Sequence, residues 1–340
     1  MAGRMRWRRA VKVLLVGVVL FFLGLSIYRG WHGASPFQWN VRPWPLVISF
    51  TLALAFWFMT GGGWNLMVRY LGGTLALRKG MKVYFLSNLG WYLPGKVWYA
   101  VGRAYLGQQE GVSVGVISTS VLMEMALSLT SSALMATLAL PLVSPLLGAK
   151  SLYLGVAVLV LGLAVLHPAL MKPALTLLER LLPGPKGVLQ TSEVSQVDFA
   201  QQIAHQSSDF VMEKPSSRPR RSNHEFRRTV PPLRYSVMMG LLVGYLFIWG
   251  FVGAAFFVLL NAIYPLPLAW LPTVVAIYAI SWSAGFLTPF APSGLGVREG
   301  TMILLLGQYL PVPAVTAAAI LFRIWLILAE VIWAAVATRW

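Results

Sequence analysis

The sequence predicts an all-α polytopic integral membrane protein, with about seven full transmembrane helices, two re-entrant broken-helix elements and signs of a weak internal repeat. Three observations carry this expectation. Hydrophobic residues make up 58% of the 340 and charged residues only 11%, with a mean hydropathy of +0.71, far from the mixture that a water-soluble domain needs. Apolar runs near the length of a bilayer-crossing helix recur along the whole chain. The basic residues behind the net charge of +17 are gathered into a few segments between those runs, as expected of cytoplasmic loops under the positive-inside rule.

A hydrocarbon core about 30 Å thick takes roughly 20 helical residues, which selects residues 11–28, 46–68, 113–140, 151–171, 235–261, 268–288 and 314–338 as spans. The first follows "MAGRMRWRRAVK", with five basic residues. It also reads as a signal peptide, with small residues in "WHGAS" near a cleavage point, but the spans that follow make an uncleaved first crossing the more economical reading. The basic N-terminus, the stretch with Arg69, Arg78, Lys79 and Lys82, and the ten basic residues from Lys172 to Arg234 are expected on the cytoplasmic side. The expected location is the bacterial cytoplasmic membrane, with the N-terminus inside and, after an odd number of crossings, the C-terminus outside.

Two apolar stretches fit this ruler badly. Residues 83–106, "VYFLSNLGWYLPGKVWYAVGRAYL", are broken by Pro94 and Gly95 and carry Lys96 and Arg103. An even number of crossings must separate the basic loops that end at Lys82 and begin at Lys172, and spans 113–140 and 151–171 already supply two. The 83–106 segment is therefore expected to enter and leave on one side. Residues 285–310 hold the second break, "PFAPSGLGVREG", with Pro292, Gly294, Gly296, Arg298 and Glu299, leaving only about ten apolar residues for a helix. Irregular backbone at membrane depth is tolerated only where protein or water satisfies it. Interrupted helices at matching places in two halves point to a binding site at their interface. The expected organisation is a membrane half over 1–185, a polar and disordered cytoplasmic loop over 186–232, and a second membrane half over 233–340. The loop is rich in Ser and Gln and cannot bury enough apolar surface to order itself. Its basic part, Arg218–Arg228, is expected either to lie on anionic inner-leaflet lipid or to be a solvated topology signal.

Ten acidic residues are present, and the three in apolar segments, Glu124, Glu299 and Glu330, are matched by Arg103, Arg298 and Arg323. Each ionisable group costs roughly 2.5–3.5 kcal/mol at mid-bilayer, so all six are candidates for a translocation or binding site, Glu330 less so, as is Lys96. Ser113, Ser120, Glu124, Ser128 and Ser131 share one helix face, which should point inward. The serines have a plain reading as a packing seam. Arg323 and Glu330 lie seven apart on one face, about 10 Å along the axis, with partners expected on other helices. Glu330 has its own plain reading, near enough to a helix end to reach water. At the second break, freed backbone amides beside Arg298 are an anion-attracting arrangement, although the glycines match no nucleotide-binding pattern.

The stretches "YLPGKVWYAVGRAYLGQQEGVS", "SVLME" around Glu124 and "LTPFAPSGLGVREG", followed by Arg323, resemble the membrane domain of bacterial lysylphosphatidylglycerol synthases and their standalone flippase-like homologues. The resemblance spans nearly the whole chain. It implies movement of a phospholipid or lipid-linked molecule between leaflets, by a transporter rather than an enzyme, with no cofactor and a charged lipid head group as the partner. By motif it carries Pro94, Gly95 and Arg103 to the first break, Glu124 to the acidic position after it, and Gly294, Gly296, Arg298 and Glu299 to the second. No aminoacyl-transferase domain follows Trp340, so synthase activity is not implied, and the polar insertion before Pro232 is longer than the family leads one to expect. A membrane transferase with a lipid-linked donor and a non-catalytic assembly or regulatory partner are the competing readings. Against the transferase, no aspartates cluster for a metal, and His32, His167, His205 and His224 are scattered without ligand spacing. No nucleic-acid surface accompanies the positive charge.

Overall fold

The computed structural model describes residues 39, 41–92, 97–143, 148–165, 235–288 and 291–340, all within one compact unit. Outside the described residues lie the expected first span at 11–28, the break residues Pro94, Gly95 and Lys96, and the 186–232 loop with Arg218–Arg228.

The described residues form helices, short 3-10 turns and connecting loops, with no strand among them. In order these are α1 (Pro43–Tyr70), α2 (Leu77–Asn88), a 3-10 turn (Leu89–Tyr92), α3 (Trp98–Gln109), α4 (Val114–Val143), α5 (Gly148–Val165), α6 (Tyr235–Ile263), a second 3-10 turn (Leu268–Trp270), α7 (Leu271–Leu287), a third (Pro292–Gly294), α8 (Val297–Leu306) and α9 (Val312–Ala337). Among the described residues, five segments are long and apolar enough to cross a membrane: Pro43–Tyr70, Val114–Thr137, Tyr235–Ile263, Leu268–Leu287 and Val312–Ala337. The chain is a multi-pass membrane protein. Large apolar side chains such as Phe247, 64% exposed, and Leu66, 58% exposed, stud the outer faces of these helices, which suits a lipid solvent rather than water.

Proline starts α1, α7 and α9 within their first two positions, where a missing N–H leaves nothing unpaired. The start of α1 is tied to the end of α6, where the Arg42 amide donates to the Ala262 carbonyl at 2.9 Å. α1 and α9 are joined by three indoles: Trp57 donates to the Leu326 carbonyl (2.9 Å), Trp325 to Leu46 (3.3 Å) and Trp333 to Leu54 (2.9 Å). A helix carbonyl has a second lone pair for such a bond. The apolar core gathers Phe256 and Leu260 of α6, Ile277 and Tyr278 of α7, Leu306 of α8 and Phe322 of α9. On the far side of α4, Gly162 brings α5 so close that a Cβ there would stand 2.1 Å from Thr130 Cγ2.

One boundary differs from expectation. The basic stretch ending at Lys82 is not a loop: α1 runs through Arg69, the connection is residues 71–76, and Arg78, Lys79 and Lys82 already belong to α2. Gly72, at φ +90°, turns the chain out of α1, and Lys79 pairs with Glu110 beyond the end of α3 at 2.8 Å.

Both interrupted stretches are built from short helices. α2 and α3 have 12 residues each, about 18 Å of helix at 1.5 Å per residue, too little to cross a core of about 30 Å. α2 and the turn after it pack against α3 through small residues: a Cβ on Gly90 would meet the Tyr99 nitrogen at 2.7 Å, and one on Gly102 would meet Ser87 at 3.6 Å. α8 has 10 residues, matching the short helix expected after the second break.

Candidate functional site

The turn that leads into the first break and the turn of the second, some two hundred positions apart in the sequence, meet in space. The Leu89–Tyr92 turn touches the Pro292–Gly294 turn, and the Trp91 ring stacks on Phe286 at 5.8 Å, next to the second break. Beside this junction lies a cavity of about 150 Å³ bounded by α1, α2, α3, α4, α6, α7, α8 and α9. Arg103, Glu124, Arg298, Arg323 and Glu330 all line it. Of the six charged residues singled out from the sequence, only Glu299 stands behind the wall.

Arg103, on α3, is 1% exposed. Its Nε donates to Ser87 Oγ (3.2 Å), one Nη to Asn88 Oδ1 (3.0 Å) and the other to Glu124 Oε2. The guanidinium lies 4.4 Å from the Tyr84 ring centre, 4.8 Å from Trp64 and 5.4 Å from Tyr99. Each such contact contributes about 0.5–2 kcal/mol. The other oxygen of Glu124 accepts from the Tyr84 hydroxyl at 3.1 Å. Both charges are thus engaged by protein groups before any ligand arrives. The serine face of α4 points inward as expected at Ser120, Glu124, Ser128 and Ser131, but Ser113 is exposed. It sits before the first turn, where its Oγ accepts from the Val116 amide at 3.4 Å.

The second break is shaped by three positive φ values in four residues: Ser293 (51°), Gly294 (68°) and Gly296 (80°). Glycine takes that region freely, and serine does so at a cost of about 1–2 kcal/mol. Arg323 holds Ser293 there, its Nη2 donating to the Ser293 carbonyl (3.0 Å) and Oγ (2.7 Å). Gly294 and Gly285 approach so closely that a Cβ on Gly294 would lie 2.9 Å from the Gly285 Cα, while one on Gly285 would strike the Arg298 stem at 2.3 Å. The glycines therefore place the stem of Arg298 against α7, where its Nη2 donates to the Tyr278 hydroxyl at 2.9 Å.

Glu299 explains a departure from the sequence reading. The amide freed at Gly296 is not left for a ligand, because Glu299 Oε2 accepts from it at 2.8 Å. A carboxylate three residues into a helix reaches back to cap its start. The other Glu299 oxygen stands 4.0 Å from Arg323 Nε. Arg298, by contrast, has no carboxylate within 4.0 Å among the described residues.

Glu330 is 2% exposed, so the reading that it reaches water at a helix end is overturned: the turn after α2 covers it. The Tyr92 hydroxyl from that turn donates to Glu330 Oε2. Arg323 and Glu330 find partners on other elements, as expected, and face the same cavity. Four buried polar atoms on residues of the cavity wall have no hydrogen-bond partner: Arg323 Nε, Glu330 Oε1, Tyr245 Oη and Trp249 Nε1. Buried polar groups are nearly always bonded, so such a concentration at one cavity marks where a polar guest or ordered water belongs.

A family model described as the lysylphosphatidylglycerol synthase TM region matches residues 9–334. The chain belongs to that family. No curated protein matches it. The match runs through both breaks and every charged residue on the cavity of this family member, and it places the chain among membrane proteins linked to lipid handling.

Several residues in and around the cavity of this lysylphosphatidylglycerol synthase TM family member were not visible in the sequence. Asn88 and Tyr92 line it near the first break, with Ser87 behind them bonded to Arg103, and Tyr245, Trp249, Tyr278 and Ser293 come from the second half. Tyrosine and tryptophan carry a polar atom in an apolar body, so inside an apolar run they look like ordinary packing. Their signal lay in helix register, which places Tyr245 and Trp249 four apart on one face of α6. Among the described residues no three His, Asp or Glu side chains could together hold a metal ion.

Proposed function

We propose that the protein moves a phospholipid or lipid-linked molecule across the membrane, with its charged head group passing through the cavity between the two breaks. The observation that carries this reading is Arg298: an arginine on the cavity wall, aimed by Gly285 and Gly294, bonded to a neutral tyrosine and lacking a carboxylate partner among the described residues. Arginine's planar fork matches phosphate oxygens. Arg323 Nε, which completes no hydrogen bond and stands 4.0 Å from Glu299, lies on the same wall. Arg103 and Glu124, whose bonding groups are engaged, hold α2, α3 and α4 together and shape the site, and Glu299 fixes the break from behind.

Size supports the same division of labour. By the measure in which one water needs about 10–15 Å³, a cavity of about 150 Å³ has room for a phosphate and a small substituent. It has no room for acyl chains, which stay in the lipid while the head group crosses. The two interrupted elements are then re-entrant, folded back so that their irregular backbone faces the cavity. In this reading the protein resides in the bacterial cytoplasmic membrane, with its N-terminus inside. Its partner is a lipid with a charged head group, and Arg218–Arg228 rests on anionic inner-leaflet lipid.

The test is a flipping assay in proteoliposomes of phosphatidylethanolamine and phosphatidylglycerol with a trace of each lipid carrying a head-group fluorophore. The purified protein should make inner-leaflet label accessible to an added quencher. Arg298→Gln should abolish this while the protein keeps its elution profile and thermal stability. Flipping at the wild-type rate by Arg298→Gln would remove the assigned site.

A further inference from the structure

Three carboxylates lie in the apolar helices, and the structure treats them differently. Glu124 is paired with Arg103 and bonded to Tyr84. Glu299 caps Gly296 and stands 4.0 Å from Arg323. Glu330 has no cationic group within 4.0 Å among the described residues. It is 2% exposed, it accepts from the neutral Tyr92 hydroxyl, and its Oε1 completes no hydrogen bond although the Asn88 amide lies close enough to influence it.

A carboxylate in that position lacks a counter-charge, at a cost of several kcal/mol even after relaxation. A carboxyl group lacks that cost, and its O–H gives the free oxygen a donor toward the cavity. The neighbours leave the choice to the proton. From the turn after α2 comes Tyr92, from α2 Asn88 and Tyr84, from α6 Tyr245, and from α1 only the neutral Trp57 and Thr60. From α8, Arg298 is bonded to Tyr278 and Glu299 to Gly296. Arg323, on the same helix as Glu330, lies about 10 Å back along the axis and is held by Ser293.

We propose that Glu330 is a reversible proton-binding site on the cavity. In the empty cavity Oε1 holds a proton taken from water. On release the proton passes from Oε1 to cavity water, leaving a carboxylate that Tyr92 still bonds and that a cation entering the cavity would stabilise. This inference rests on the translocation reading for its consequence, which is that head-group movement is sensitive to protons, but the proton-binding step itself is independent of that reading.

The experiment uses the full chain in the same proteoliposomes, over roughly pH 4 to 9, a range that spans ordinary and buried carboxyls. Flipping rates and infrared difference spectra of the carboxylic-acid C=O stretch are recorded on the same samples. The wild-type rate should change by up to about tenfold per pH unit on its titrating limb, with an acid band that titrates in step. Glu330→Gln should flatten the profile and remove the band. Tyr92→Phe, which keeps the carboxyl but removes its donor, should shift the midpoint of both. That variant also carries the test if Glu330→Gln does not fold. A pH-independent wild-type rate with no titrating band, or an unchanged profile in Glu330→Gln, overturns the inference and leaves translocation standing. Absence of flipping by the wild type sinks translocation instead, and the infrared band then decides the inference alone: a band lost in Glu330→Gln upholds it. The lack of any band means a permanently ionised Glu330, as in a site for a lipid ammonium group, and overturns it.

Discussion

Separating the Arg103–Glu124 pair should expose an asymmetry that the geometry fixes in advance. Breaking a buried pair by removing one partner costs about 3–5 kcal/mol, because the remaining charge is stranded. Glu124→Gln strands a guanidinium that is 1% exposed but still bonded to Ser87 and Asn88 and still faced by three aromatic rings, so its loss belongs at the lower end, about 3 kcal/mol. Arg103→Met strands a carboxylate that keeps only the Tyr84 hydroxyl and its 14% exposure. It also forfeits the ring contacts, which puts it at the upper end, about 5 kcal/mol. The double variant strands no charge and should be no worse than Arg103→Met alone, a coupling of about 3 kcal/mol. Unfolding in mixed micelles with rising sodium dodecyl sulfate, followed by tryptophan fluorescence, measures all four corners of the cycle. If the double variant were as unstable as the two single losses added together, the pair would not be coupled and the stranded-charge reasoning would be wrong.

Two further perturbations probe the close approaches. Gly294→Ala must take a left-handed backbone at φ +68° and set its Cβ 2.9 Å from the Gly285 Cα, so it should lose at least about 1–2 kcal/mol in the same unfolding measurement, together with flipping. Wild-type stability would mean the break is shaped differently. Gly162→Leu should force α5 off α4, where even a Cβ would stand 2.1 Å from Thr130 Cγ2, at about 1–3 kcal/mol. Loss of a disulfide cross-link engineered between those helices would report the separation, and full retention would contradict the contact.

Much of the fold was legible because lipid imposes a simple rule: every backbone group must bond within its own helix, so apolar length alone marks a span. Five of the seven expected spans coincide to within a few residues with helices long and apolar enough to cross, 151–171 falls on the described residues only where Gly148–Val165 covers it, and 11–28 lies outside them. The breaks were legible for a related reason. "PSGLG" needs positive φ at Gly294 and Gly296, and glycine is the residue that adopts it without strain. The boundary at Arg78–Lys82 was misread because basic residues mark a side of the membrane, which a helix end satisfies as well as a loop does.

The candidate site was legible as a list but not as a constellation. Arg103, Glu124, Arg298, Arg323 and Glu330 stood out because charge in lipid is costly, yet nothing in their spacing says that Arg103 closes on Glu124 or that Tyr92 reaches Glu330. The Gly296 amide shows the same limit: the sequence shows it freed, and only the folded turn shows Glu299 occupying it.

Local composition is enough to show that this chain dissolves in lipid, where its helices run and where they must break, because these follow from the local balance of apolar surface and backbone bonding. Tertiary structure decided which break meets which, which carboxylate receives an arginine and which is left with a tyrosine. Those outcomes depend on helix rotation and close packing between elements far apart in the chain, and hydropathy carries no record of either.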